Sequence, residues 1–398
     1  MSLENPGLSA SFCVVLGLAG AACSSMGNAT GAEAGAAGVA SAGPSAGSGG
    51  ASVSNGGAGG STAVNGAAGR TTSGGTASGG NPAGGSAGVA SGGSAGASTG
   101  SRPKLRTVGY LPSYRGMLSM WAASFDFSLV SYVNLCFANV DATGTVSYPD
   151  AMLGTFVTAA HKAGAKVCMA LGGATTIDDF SVLGGLVSAP NRAAFVQKIT
   201  DYAVSTGLDC IDIDFEGPTA VNADYEPFVT ALSASLKAKG KETTAAVASW
   251  FGPNVTTPAL QVFDFVNVMA YDLHNPGGNA APVQSSSVTD SKAEIDYWVG
   301  RGLAKEKAIF GVPFYGYRWK PGATVGEAVV YSELLTTYGA AAASDAIMQD
   351  GTTVYLNSKA TIVAKTQMAA QYGGIMVWEL GQDAPGMTSL LRAIHDAE

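Results

Sequence analysis

Eight short apolar segments alternate with longer stretches of helical character, and this alternation constrains the fold more than any other feature. The strand-like segments cover residues 105–111, 131–140, 165–171, 210–215, 243–249, 264–271, 307–315 and 373–378. Alternating strands and helices favour a parallel sheet, and eight repeats in about 290 residues are typical of a closed (β/α)8 barrel. We therefore predict an α/β fold, a (β/α)8 TIM barrel, for residues 104–398.

A doubly wound open sheet is the alternative fold with the same alternation. It needs a phosphate-binding glycine loop after its first strand, and Tyr110-Leu111-Pro112 stands at that point. Gly164, Gly207 and Gly240 each follow a helical segment, where a left-handed residue commonly ends the helix. The barrel remains the better prediction.

The segment over residues 23–103 has a composition that cannot form a core. Between Cys23 and Arg102 it contains no Leu, Ile, Phe, Tyr or Trp, and its only charged residues are Glu33 and Arg70. Such a Gly/Ala/Ser-rich segment cannot bury enough apolar surface to offset the entropy of ordering its backbone. We predict a disordered linker that precedes the barrel.

The amino terminus has the pattern of an export signal. The apolar run from Phe12 to Ala22 has the length of a signal-peptide core and is too short for a spanning helix. Cys23 follows small residues, as in bacterial lipoprotein processing sites, although Gly20 stands where that pattern favours Leu. We predict a signal peptide over residues 1–22 and an exported chain, either secreted or lipid-anchored through Cys23 at the bacterial cell surface.

Charge and cysteine usage exclude several classes of partner. The net charge is −8 and no cluster of Lys or Arg occurs, so we expect no nucleic-acid partner. Cys136, Cys168 and Cys210 each lie in an apolar strand segment, which predicts small core residues and not a disulfide framework. No Cys/His spacing typical of zinc is present. We predict no metal, no cofactor and a monomer.

Three carboxylates share one face of the fourth strand segment. Side chains alternate along a strand, so Asp212, Asp214 and Glu216 point to one side while the large apolar residues between them point to the other. Inside a barrel, repulsion and desolvation raise at least one of the carboxyl pKa values. Glu216 comes last, at the carboxyl end of the strand where barrel active sites form. We predict that Glu216 is a general acid; a solvated acidic strand and a Mg²⁺ or Ca²⁺ site are the alternatives.

The pattern Asp-x-x-Asp-x-Asp-x-Glu, formed by Asp209, Asp212, Asp214 and Glu216, resembles the signature of glycoside hydrolase family 18, the chitinase family. Three further motifs occur in that family's order over residues 105–394. They are Leu171-Gly172-Gly173 with Ala170 in place of the usual Ser, Met269-Ala270-Tyr271-Asp272, and the run from Gly373 to Trp378. The resemblance implies hydrolysis of β-1,4 bonds in chitin or its oligosaccharides. It also implies a small α+β insertion between the last two barrel strands, as many members of the family have. Only about 55 residues separate these two strands here, and they include a helix, so we expect a reduced or absent α+β insertion and a shallow groove.

The resemblance also implies a role for each site residue, in a retaining mechanism whose nucleophile is the substrate's own 2-acetamido oxygen. Glu216 then protonates the glycosidic oxygen and later acts as the base. Asp214 orients the acetamido group and Asp212 shares a proton with Asp214. Tyr271 offers its hydroxyl to the acetamido oxygen, and Trp378 stacks under a sugar ring. Further candidates for substrate binding are Met269, Asp272, Tyr110 and Phe137.

Two other functions fit the same sequence. An endo-β-N-acetylglucosaminidase acting on N-glycans or peptidoglycan needs the same acetamido chemistry, so the sequence hardly separates it from a chitinase. A non-catalytic chitin-binding lectin is disfavoured because lectins that resemble the family usually lack the acid, and Glu216 is present.

Overall fold

The computed structural model describes residues 105–174, 177–217, 220–278 and 281–398. The predicted signal peptide, the linker and Cys23 lie outside the described residues. Within the four described ranges, no helix has the length and apolar character needed to cross a bilayer.

The strands of the described residues, in chain order, are β1 (Thr107–Pro112), β2 (Tyr132–Val140), β3 (Val146–Ser147), β4 (Lys166–Gly173), β5 (Cys210–Phe215), β6 (Glu242–Val247), β7 (Phe265–Val268), β8 (Ala308–Pro313), β9 (Tyr315–Trp319), β10 (Glu327–Val330), β11 (Ala346–Gln349), β12 (Thr352–Tyr355) and β13 (Gly374–Trp378). The helices are α1 (Leu118–Ser124), α2 (Leu153–Lys162), α3 (Ile177–Val187), α4 (Arg192–Ser205), α5 (Tyr225–Lys237), α6 (Thr257–Val262), α7 (Val288–Gly300), α8 (Tyr331–Tyr338), α9 (Lys359–Ala369) and α10 (Leu390–Ala397).

Eight of these strands close a parallel barrel. Their order around it is β1, β2, β4, β5, β6, β7, β8 and β13, and β13 pairs back to β1. Each predicted strand segment overlaps one of them, so the (β/α)8 prediction is confirmed. The glycines after α2, α4 and α5 all have a positive φ, between 69° and 87°, as expected for residues that end a helix.

Aromatic packing joins the barrel to its outer helices. The ring of Phe215 at the end of β5 stacks on Phe228 of α5, with ring centroids 6.0 Å apart, and Phe228 stacks in turn on Phe195 of α4 at 5.6 Å. All three side chains are fully buried. Truncating one such ring to alanine typically costs about 3–5 kcal/mol. This contact fixes the outward face of β5 and therefore the direction of its inward carboxylates.

A small α+β insertion separates β8 from β13. Four antiparallel strands form a sheet in the order β10-β9-β12-β11, and α8 directly follows β10. The insertion is therefore reduced and not absent. Its strands are four or five residues long, too short to carry a clear alternation in the sequence.

Cys168 and Cys210 form a disulfide, so the prediction that the barrel cysteines are unpaired core residues is wrong for these two. They are register partners on the neighbouring strands β4 and β5, with Cα atoms 4.4 Å apart. Both point into the barrel, because Cys210 shares its strand face with Asp212 two residues on. An odd cysteine count carries no information about strand register. Cys136 is free and buried, as predicted.

Candidate active site

The three carboxylates lie along the inner face of β5 and the residue that follows it. Asp212 is fully buried and Asp214 is 2% exposed, whereas Glu216 is half-buried at the carboxyl end of the barrel. The intervening residues Ile211, Ile213 and Phe215 are buried on the opposite face. Phe215 stacks on the outer helix α5, whereas Asp212 accepts a hydrogen bond from Thr244 of the neighbouring barrel strand, so the two faces of this strand differ as predicted.

Asp212 is held by donors from three other strands. Tyr110 Oη donates to its Oδ2 at 2.6 Å, while Thr244 Oγ1 at 2.5 Å and Asn267 Nδ2 at 3.2 Å donate to its Oδ1. Asn267 also donates to Tyr110 Oη at 3.0 Å. Burial raises the pKa of Asp212 above its usual value, and these hydrogen bonds oppose the rise. Asp212 is thus a fixed carboxyl group at the base of the site.

Asp214 lies between the other two carboxyl groups and is poorly satisfied. Its Oδ1 is buried and has no hydrogen-bond partner among the described residues. Burial first, and then the charges of Glu216 and Asp212, raise its pKa well above the usual value. A buried acceptor without a donor is costly in a folded protein, so this oxygen is suited to a donor that arrives with a ligand.

Glu216 has the electrostatic properties of a general acid near neutral pH. Burial raises the pKa of Glu216 to about 7, with a further contribution from the charge of Asp272. A group with a pKa near the working pH can both give and take a proton.

Asp272 is held by the insertion. Tyr315 Oη and Tyr317 Oη, both on β9, donate to its Oδ1 at 2.7 and 2.9 Å. Its φ of 56° lies in the left-handed region, which non-glycine residues rarely adopt. Burial raises the pKa of Asp272, and the two tyrosine hydroxyls oppose the rise.

Tyr271 is 8% exposed, and its hydroxyl lies 3.9 Å from Met376 Sδ. Burial, followed by the charges of Asp214, Asp272 and Glu216, raises its pKa well above the usual value. The phenol is therefore protonated and is a hydrogen-bond donor. Met269, two residues earlier, is 9% exposed.

An aromatic floor lies beside the carboxylates. The ring of Trp378, half-buried at the end of β13, has its centroid 5.5 Å from Tyr110 and 6.1 Å from Phe137. Tyr110 is 1% exposed, so it supports Trp378 from beneath. A Cβ atom at Gly173 would lie 2.4 Å from the ring of Phe137, so this glycine permits close packing.

The nine predicted site residues therefore lie on the barrel strands or in the segments that directly follow them. Several residues that hydrogen-bond to them were not predicted. Asn267 could have been found, since it precedes Met269 and Tyr271 at spacings of two and four on the same strand run. Thr244 and Tyr317 had no such signal, because their contacts depend on strand register and on the insertion. Across the described ranges, no group of three or more His, Cys, Asp or Glu side chains is arranged to hold a metal ion.

Comparison with known proteins identifies the family of the chain. Residues 106–383 match the family described as glycosyl hydrolases family 18. A chitinase-like effector of Moniliophthora roreri is 30% identical over 188 residues, which cover 41% of this chain and 46% of that protein. A class V chitinase of Arabidopsis thaliana is 27% identical over 270 residues, which cover 55% of this chain and 69% of the plant protein. The chain thus spans about half the length of the first relative and about two thirds of the second.

Among solved structures, the family 18 chitinase ChiB from the chitin utilization locus of Flavobacterium johnsoniae superposes with a TM-score of 0.65 at 30% identity, covering 74% of this chain and 94% of that one. The family match alone extends over more than half of the residues. The chain belongs to glycosyl hydrolases family 18.

Proposed function

We propose that this protein hydrolyses β-1,4 glycosidic bonds in chitin or chitin oligosaccharides, with Glu216 as acid and base and the substrate's acetamido oxygen as nucleophile. The observation that carries the proposal is the line of Asp212, Asp214 and Glu216, which ends on a carboxyl group whose pKa is raised to about 7. The names of the plant and bacterial relatives, both chitinases, support the same substrate class.

The first step breaks the glycosidic bond. Glu216 gives its proton to the glycosidic oxygen, and the leaving sugar departs as an alcohol. The acetamido carbonyl oxygen of the same substrate attacks the anomeric carbon and forms a cyclic oxazolinium ion. The unpaired Oδ1 of Asp214 accepts the acetamido N–H, whose acidity grows as the ring forms. The protonated Tyr271 hydroxyl donates to the acetamido oxygen and holds it in line for attack.

The second step restores the enzyme. Glu216, now a carboxylate, takes a proton from water as the water oxygen bonds to the anomeric carbon. The bond from that carbon to the oxazolinium oxygen breaks, and the acetamido carbonyl is restored. Two inversions give net retention of the β configuration. Asp212 lies behind Asp214 and shares a proton with it. Asp214 can therefore become more negative while the sugar carries the positive charge of the oxazolinium ion. Trp378 offers an apolar face to the sugar that undergoes the reaction.

The test is the stereochemistry of the product and its dependence on the acetyl group. NMR of freshly cleaved chitin oligosaccharide should show the β anomer first. Partially deacetylated chitosan should not be cut where glucosamine occupies the glycone side of the bond, because the nucleophile is missing. An initial α anomer, or efficient cleavage after glucosamine, would mean that water or an enzyme carboxylate attacks directly.

Glu216→Gln is the matched control, because it keeps the shape of the side chain and removes the proton. Turnover should fall by about 10²–10⁴-fold while oligosaccharide binding is kept. A high-mannose glycopeptide and peptidoglycan, assayed beside chitin oligosaccharides, test the endo-β-N-acetylglucosaminidase alternative. Binding of chitin oligosaccharides without turnover of any of the three substrates would favour the lectin.

The cellular location is part of the proposal. Buried disulfides persist in oxidising compartments and are rare in the cytosol, so the Cys168–Cys210 disulfide supports an exported chain. Lipid anchoring at Cys23 remains a proposal that mass spectrometry of the native amino terminus would test.

A further inference from the structure

A buried lysine lies behind the loop after β7, the loop that carries Tyr271. Lys365 of α9 is fully buried, and burial lowers its pKa to about 7. Its Nζ lies within hydrogen-bond distance of four oxygens: Ser286 O and Oγ and Asn357 Oδ1, each at 2.7 Å, and Ser291 Oγ at 2.9 Å. None of the four is a carboxylate. The charges of Asp345 and Asp290 raise the pKa of Lys365 and so oppose the effect of burial.

Two serine hydroxyls connect this lysine to Ala270, in the loop after β7. Ser286 Oγ and Ser291 Oγ each donate to the carbonyl oxygen of Ala270 at 2.8 Å. Both hydroxyl protons are thus directed at one carbonyl, and both oxygens accept from Lys365. Hydrogen bonds arranged in such a chain strengthen one another in a buried setting. The carbonyl of Ala270 belongs to the peptide bond that joins Ala270 to Tyr271. Holding this carbonyl therefore fixes the orientation of the backbone at Tyr271.

The same cluster joins three separate parts of the chain. Asn357 Nδ2 donates to Ser286 O at 2.8 Å, and Gln284 Nε2 donates to Leu356 O at 2.7 Å. Leu273 N donates to Ser285 O at 2.9 Å. Residues 284–286 are therefore held between the loop after β7 and the end of the insertion. Burying an amine costs desolvation free energy, and apolar side chains could fill the same volume without it. Stability alone therefore does not explain this polar cluster.

We propose that Lys365 is a positioning residue for the reaction, which acts through Ser286, Ser291 and the Ala270 carbonyl to hold Tyr271 in place. This inference rests on the role of Tyr271 in the proposed function. The charged form of Lys365 has three protons for four acceptors, so it can direct both serine hydroxyls at one carbonyl, which neither an apolar residue nor an amide can do.

The first test is a double-mutant cycle. Lys365→Met keeps the length of the side chain and should lower kcat on a chitin oligosaccharide about tenfold, because a small misplacement of a positioning group is costly. In a Tyr271→Phe background the same change should cost less than about twofold, since the group that it positions is gone. Ser291→Ala, a milder change, should lower kcat about threefold and show the same coupling. Losses that multiply independently in the two backgrounds would overturn the proposal.

The matched control is Thr366→Val, the next residue on α9. Thr366 is equally buried, but its hydroxyl donates only to Ile362 O within the helix. It should lower the melting temperature without changing kcat. A Thr366→Val enzyme with the kinetic defect of Ser291→Ala would reduce Lys365 to a structural residue.

A second measurement separates this inference from the proposed function. Amide hydrogen exchange should become at least tenfold faster over residues 269–275 in Lys365→Met and Ser291→Ala, while residues 210–215 of β5 keep their protection. This result is independent of turnover. A wild-type chain that cleaves no glycan would contradict the proposed function. Unchanged hydrogen exchange over residues 269–275 would contradict the proposal that Lys365 positions Tyr271.

Discussion

At the scale of the residue, the chemistry depends on the contrast between two carboxyl groups. Glu216 is half-buried, and its pKa is raised to about 7 by burial and by Asp272. Asp214 is buried between two other acids, and its pKa rises well above the usual value. Glu216 therefore keeps its proton up to a pH of about 7. In the proposed mechanism, this is the proton that the glycosidic oxygen receives.

The pH profile tests the origin of this proton. Since Glu216 must be protonated for the first step, kcat/KM should fall as the pH rises through about 7. Asp272→Asn removes the neighbouring negative charge. The alkaline limb of the profile, where kcat/KM falls, should therefore move to lower pH by about half a unit or more. Asp201→Asn, an exposed change on α4, is the control and should leave the limb in place. A limb that stays fixed or rises in Asp272→Asn would contradict the contribution of Asp272.

The same pKa predicts a cost in stability. A carboxyl group whose pKa is higher in the folded chain contributes stability below its unfolded pKa of 4.5, and this contribution is lost as the pH rises to about 7. Glu216→Gln should therefore gain stability relative to wild type over this interval, by about 3 kcal/mol. Urea unfolding at pH 4.5, 6 and 8 measures the difference. Equal stabilities at all three values would indicate that Glu216 has its ordinary pKa.

At the scale of the element, β5 carries the site on one face and a disulfide at its start. Cys210 begins the strand and is joined to Cys168 on β4, two residues before the register pair of Asp212 and Ala170. The insertion acts at the other end, where β9 supplies two tyrosine hydroxyls to Asp272. Its short sheet is therefore part of the active site and not only a wall of the groove.

The disulfide is testable by alkylation. In denaturant without reductant, peptide mapping should find Cys136 alkylated and Cys168 and Cys210 protected, and all three alkylated after reduction. Replacing both paired cysteines by alanine should lower the free energy of unfolding by about 4 kcal/mol, from the chain entropy of a loop that spans 42 residues. Cys136→Ala is the control and should cost less, since it removes a single small side chain. Alkylation of all three residues before reduction would show that the pair is not bonded.

At the scale of the whole molecule, the site is assembled from seven of the eight barrel strands or the loops that follow them. Asp212 alone draws donors from β1, β6 and β7. Because these strands are held by closure of the barrel, the active site exists only when the barrel is complete. The barrel should therefore be the unit that folds and reacts.

Removal of residues 1–103 tests this unit. A chain that begins at Lys104 should fold and hydrolyse soluble oligosaccharides at the wild-type rate, because the removed residues lack the side chains that form a core. Melting temperature and kcat are the measurements. An insoluble or inactive shortened chain would show that the segment before Lys104 is needed by the barrel.

The sequence by itself determined the features that depend on local spacing. Alternation along β5 predicts that Asp212, Asp214 and Glu216 share a face, because neighbouring side chains on a strand point in opposite directions whatever the strand pairs with. The repeated strand–helix order predicts the barrel. The four motifs predict which residues meet at its carboxyl end.

Only the tertiary structure decided the features that depend on register and closure. Cys168 meets Cys210, and Thr244 meets Asp212, because two strands pair at one register out of several that the sequence permits. Tyr317 reaches Asp272, and Lys365 reaches Ser286, through elements that are more than 40 residues apart in the chain. Spacing along the chain specifies which side of an element a residue occupies, whereas its partner across space is set by how all the elements pack at once.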